Sequence, residues 1–137
     1  MTREHRIILN AIEEALTRDP ELRFGQALFN LRINEFANRE NPEEADYRMR
    51  DIHGDKDSEI IERIQGQINW FDLQRKVNKA LENPELSGLG AMTVNERLYV
   101  SGLMDDFDKY KRSNKQFAAF ILERLKVDRA SIEKILN

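Results

Sequence analysis

The chain has 137 residues, 40% of them hydrophobic and 34% charged, with a net charge of −3 at pH 7 and no cysteine. That is about one domain, long enough to bury a core without staples and too apolar for a disordered chain; disulfides, thiolate nucleophiles and zinc–thiolate sites are excluded. No stretch is apolar enough for a signal peptide or a membrane span, so a cytoplasmic protein is expected.

The first helix is expected over residues 3–17, where Ile8, Ala11, Ile12, Ala15 and Leu16 make one apolar stripe. Asp19-Pro20-Glu21 closes it and opens the next, since Asp caps, Pro suits a first turn and Glu suits the positive end of the dipole. The second helix is expected over 23–37, the most strictly helix-periodic run in the chain, with Phe24, Leu28, Leu31 and Phe36 as its spine. Gly25 inside it implies close backbone approach of a neighbour, and Gln26, Asn30 and Asn34 form an amide row that reads first as a polar core edge satisfying nearby backbone and second as part of a binding face. Asn41-Pro42-Glu43-Glu44 signals a short helix over 42–50. DIHGDKD at 51–57 reads as a loop. Ser58 then opens a helix to residue 83, with a possible break near Gly66.

Residues 83–92, with one Pro and two Gly, form the best linker candidate and a possible sub-boundary within a single domain over 1–137. Thr93 and Glu96 fit a capping box for a helix reaching residue 112. Asn114 caps a helix carrying Phe117, Phe120, Ile121, Leu122 and Leu125, and Asp128 caps a last short one. Period-two alternation is absent. The reading is all-α, a compact helical bundle of about six to seven helices.

Charge is unevenly spread. Residues 35–62 hold ten acids against four bases; a solvated surface is the plainer reading of such a run, and as a binding face it repels nucleic acid and membranes while attracting basic proteins. Within it, Asp51, His53, Asp55, Asp57, Glu59 and Glu62 fall at calcium-loop offsets, but the position that needs Gly is Lys56. An exposed acidic loop feeding a helix N-terminus is the better account, and no metal or cofactor is expected. Residues 117–136 invite a helix-turn-helix reading. Against it, Lys126 stands where the turn often has Gly, and Asp128 and Glu133 would face phosphates. The two histidines, His5 and His53, lie near a terminus and in a loop, and no nucleophile or phosphate-binding motif is present, so an enzyme is not expected.

The segments PELRFGQALFNLRINEF with DIHGDKDSEIIERI, and MTVNERLYVSGLMDDFDKYKRSNKQFAAFILERLKVDRASIEKIL, together cover most of the chain. The chain resembles small acidic helical bacterial proteins of the kind encoded beside interbacterial toxins. The resemblance implies an immunity protein, a stoichiometric inhibitor whose partner is a basic toxin domain. The acidic face then supplies Glu43, Glu44, Asp46, Asp51, Asp55 and Asp57 for charge and Tyr47 as aromatic anchor. The alternative is a small regulator or adaptor using the helix pair at 117–136 on DNA or another protein. A third reading is a subunit that self-associates through Trp70-Phe71.

Overall fold

The structure, a computed structural model, describes residues 1–38, 43 and 46–137. It is mostly all-α, as the sequence implies. Its elements are α1 (Arg3–Arg18), α2 (Phe24–Asn30), β1 (Phe36–Asn38), β2 (Asp46–Met49), α3 (Asp57–Ala80), a 3-10 helix (Pro84–Ala91), α4 (Val94–Ser101), α5 (Met104–Ser113), α6 (Lys115–Arg124) and α7 (Arg129–Leu136). No helix among the described residues is long and apolar enough to cross a membrane.

The chain divides into two compact units, Met1–Asn69 and Trp70–Asn137. The expected stripe of α1 builds the first core: Ile12 is buried with Leu31, Ile33 and Ile64, flanked by Ile8, Ala15, Ile60 and Ile68. The second core is larger. Leu98, Leu103, Ile121, Leu122, Leu125 and Val77 are its largest fully buried side chains, with Phe107 and Ile132 in the same cluster. Trp70 does not stand out as a surface patch; it is half-buried, with ring centres 5.2 Å from Phe117 and 4.7 Å from Phe120. The two halves of α3 feed different cores, Ile60, Ile64 and Ile68 the first and Leu73 and Val77 the second.

Several boundaries differ from the sequence reading. The helix expected to residue 37 stops at Asn30, because Arg32 turns left-handed (φ 59°) and the Ile33 N–H bonds to the Leu28 carbonyl at 2.9 Å. This is a helix C-cap built without glycine. The described end of the helix expected over 42–50 is instead strand β2, paired antiparallel with β1. The helix opened at Ser58 in the sequence reading has no break near Gly66, since α3 runs unbroken from Asp57 to Ala80. The helix expected to reach residue 112 is two, α4 and α5, separated where Gly102 adopts φ 75°, a conformation that an L side chain rarely takes. The segment at 83–92 is a 3-10 turn started by Asn83, with Leu86 and Leu89 buried. Gly25 has open space around it: a Cβ there would meet no atom within 4 Å, so close approach does not explain it. The side chains of Thr93, Asn114 and Asp128 each accept a backbone N–H three residues on, as expected of caps, though at Thr93 only this half of the expected capping box is seen among the described residues.

Candidate functional site

The surface feature of the first unit is the β1–β2 hairpin. Phe36 pairs with Met49 and Asn38 with Asp46, so two residues of β1 advance while β2 advances three. The extra residue makes a bulge, a device that re-aims side chains and twists a strand away from further pairing. Asp46 stabilises it locally. Its carboxylate accepts the Arg48 backbone N–H at 3.0 Å and both sides of the Arg48 guanidinium, the shortest contact being 2.7 Å. Those bonds hold the Asp46 carboxyl at about 2, below its ordinary 3.8.

Aromatic rings run from α2 onto this hairpin. Phe29 meets Phe36 edge-on at 5.1 Å, and Phe36 meets Tyr47 at 5.5 Å with the planes at 90°. Tyr47 is nonetheless 74% exposed, and Met49, the partner of Phe36 across the ladder, is 50% exposed. Two large apolar side chains therefore stand in water beside the same phenylalanine.

Beneath the hairpin lies a network of five charges. Arg50 donates to Glu35 at 3.1 Å and grips both oxygens of Asp55, at 2.8 and 2.6 Å. Arg63 reaches Asp55 at 2.9 Å and Glu35 at 3.6 Å, while Arg32 adds a bond to Glu35 at 3.3 Å. Arg63 also donates to the carbonyls of Arg32 at 2.8 Å and Ile33 at 3.1 Å, sealing the end of α2. Only 10% of the Asp55 side chain and 14% of that of Arg63 are exposed. Burial would raise the Asp55 carboxyl, but the bonds from Arg50, with the charges of Arg50 and Arg63, overcome it and hold the group at about 2. Bidentate arginine–carboxylate geometry makes this a rigid lock joining β1, β2 and α3.

The structure sorts the expected partner-binding acids by this chemistry. Asp46 and Asp55 are committed to arginines. Asp57 meets His5 at 3.0 Å, joining α3 to α1. Asp51 is exposed and accepts the His53 N–H at 2.9 Å. Glu43 is exposed, and Glu44 lies outside the described residues. The carboxylates at the calcium-loop offsets do not converge either: Glu59 accepts the Lys56 N–H, and among the described residues no group of three or more acids or histidines could hold a metal ion. Sequence reasoning missed Glu35, Arg32, Arg50, Arg63 and Met49. The available signal was arginine, rather than lysine, set among acids, since arginine forms planar two-point pairs and lysine does not. In the comparisons with known proteins, no family model, no curated protein and no solved structure matches this chain.

Proposed function

We propose that this chain is a non-enzymatic protein-binding module, and specifically an immunity protein that captures a basic bacterial toxin domain through the hairpin of its first unit. The observation that carries the reading is Tyr47, an aromatic ring 74% exposed on a braced strand with Met49 beside it. Exposed aromatic and methionine side chains are the usual anchors of protein interfaces. A lock of five charges ties together the residues flanking β1 and β2 before binding, which lowers the entropy cost of association. Residues 1–69 hold 15 Asp and Glu against 10 Lys and Arg, and that excess steers a basic partner. Contact then rests on Tyr47 and Met49, with Asp51 at the rim, rather than on the acids already held by arginine.

The test is co-expression with the product of the neighbouring gene, followed by co-purification and growth rescue. A one-to-one complex that restores growth is expected, and Tyr47→Ala should weaken it by roughly thirtyfold, as loss of an anchor does. A complex indifferent to Tyr47→Ala and Met49→Ala together removes the hairpin. Absence of complex and of rescue removes the immunity reading.

A further inference from the structure

The second unit carries a charge pattern opposite to that of the first. The second unit, Trp70–Asn137, holds 12 Lys and Arg against 10 Asp and Glu, with eight against three in residues 109–137, whereas the first, Met1–Asn69, holds 10 against 15. We propose that the α5–α6 corner together with the solvent face of α7 binds the phosphate backbone of duplex DNA.

The cations are placed for it. Lys109, Lys111, Arg112 and Lys115 lie within seven residues around Asn114, all exposed, and none has a carboxylate within 4 Å among the described residues. The helix dipole accounts for Lys111 and Arg112, which close α5. It does not account for Lys115 and Arg129, which are the first residues of α6 and α7, where the dipole disfavours a cation and neither helix has an acid in its first turn. An external anion resolves that arrangement at Lys115, which has no carboxylate near it among the described residues, whereas Arg129 already meets Glu133 at 3.7 Å.

Two of the acids nearby are engaged within the chain, while Asp108 and Glu123 stand exposed. Asp128 is tied into its own cap by the Ser131 N–H at 3.0 Å and hydroxyl at 2.7 Å, and Glu133 approaches Arg129 at 3.7 Å. The exposed residues of α7 are Arg129, Ala130, Glu133, Lys134 and, just past it, Asn137, which fall on one helical stripe. Ile132 on the opposite side is buried in the core. A four-residue connection, 125–128, joins α6 to α7 and is held by Arg97, which donates to the carbonyls of Leu125 at 3.1 Å and Lys126 at 3.0 Å. A short helix whose free side carries Arg129, Ala130, Lys134 and Asn137, with Glu133 drawn to Arg129, is suited to a groove, with the basic corner on the flanking backbone.

The test is fluorescence anisotropy of the full chain with a labelled 20-base-pair duplex of mixed sequence. With about four phosphates neutralised, affinity should fall roughly a hundredfold between 50 and 200 mM salt. The triple variant Lys111→Ser, Arg112→Ser, Lys115→Ser should bind far more weakly at 50 mM and lose most of that salt dependence, with its circular dichroism unchanged because all three side chains are exposed. No binding at 50 mM salt, or equal binding by the folded triple variant, overturns the proposal. So does displacement of the labelled duplex by polyglutamate as readily as by unlabelled duplex, which would make the corner a surface for acidic protein. Tyr47→Ala should leave duplex binding unchanged, so this test and the toxin test fail independently.

Discussion

Two helices of this chain end in the same seven-residue pattern and are followed by different structure. Leu28-Phe29-Asn30-Leu31-Arg32-Ile33-Asn34 closes α2, and Leu122-Glu123-Arg124-Leu125-Lys126-Val127-Asp128 closes α6. In each, a basic residue turns left-handed, Arg32 at φ 59° and Lys126 at φ 61°. In each, the next residue's N–H bonds to a carbonyl five back, Ile33 to Leu28 at 2.9 Å and Val127 to Leu122 at 3.0 Å, and its side chain is buried. An arginine from another helix seals the exposed carbonyls, Arg63 for the first and Arg97 for the second. After Asn34 the chain enters a strand, whereas after Asp128 it enters a helix. The stop signal therefore sets where a helix ends and not what comes next. Asp128 finds the N–H and hydroxyl of Ser131 and starts α7, while Glu35 is drawn to arginines. The first turn is bound into a charge lock, the second into an apolar core.

If the second turn is the more deeply built of the two, truncating its leucine costs more. Leu125 is fully buried and Leu31 is 5% exposed within a smaller core. Leu125→Ala should cost about 4–5 kcal/mol and Leu31→Ala about 2–3 kcal/mol, the spread reflecting how far each site can relax around the cavity. Denaturant unfolding of the two variants checks this, and equal losses would mean that the two cores are equivalent in strength.

Removing the sealing arginines should reverse the order. Arg63→Ala breaks bonds to two carbonyls and strands part of the Glu35–Asp55 charge, at a cost of about 2–3 kcal/mol. Arg97→Ala removes bonds to the carbonyls of Met92, Leu125 and Lys126 without stranding a carboxylate, and should cost about 1–2 kcal/mol. A larger loss at Arg97 would show that carbonyl sealing, and not charge, gives Arg63 its weight.

How legible each turn was follows from the same contrast. The helices of the second unit could be read because their starts are written locally: Thr93, Asn114 and Asp128 each bond a backbone N–H three residues away. The ends were harder, since Arg32 and Lys126 occupy positions where glycine is the expected sign. The hairpin could not be seen, because strands of three and four residues with a bulge between them display no alternation. The lock beneath it joins residues up to 31 apart in sequence, as Arg63 does with Arg32, and no local pattern encodes that pairing. Of the expected partner-binding residues, Glu43, Tyr47 and Asp51 stand exposed, and Asp46, Asp55 and Asp57 are paired within the chain.

Acid should distinguish the charge lock from the apolar turn. Asp55 has a lower pKa folded, about 2, than its ordinary 3.8, so the unfolded chain binds the proton more readily. Its contribution is complete above about pH 5 and is lost as pH falls through 4 toward 2. Asp128 is also held low, by its bonds to Ser131, so wild type weakens in acid through both units. Asp55→Asn should lower the midpoint at pH 7 and shrink the difference in thermal midpoint between pH 7 and pH 3. A variant with the full acid dependence of wild type would show that the lock contributes nothing to it.

The smallest effect lies at the left-handed residues themselves. A non-glycine residue there carries backbone strain of about 1 kcal/mol or more, and glycine relieves it at an entropic cost in the unfolded chain. Lys126 is exposed and its side chain has no bonded partner among the described residues, so Lys126→Gly should stabilise the protein by about 0.5–1 kcal/mol. Arg32 occupies the same conformation but bonds Glu35, so Arg32→Gly should gain nothing or lose slightly. Measured in one denaturant series, a stabilising Lys126→Gly beside a neutral or harmful Arg32→Gly would show that the first turn keeps its arginine for the lock. Equal stabilisation at both positions would show that the Arg32–Glu35 bond adds nothing, leaving Arg50 and Arg63 to hold the hairpin alone.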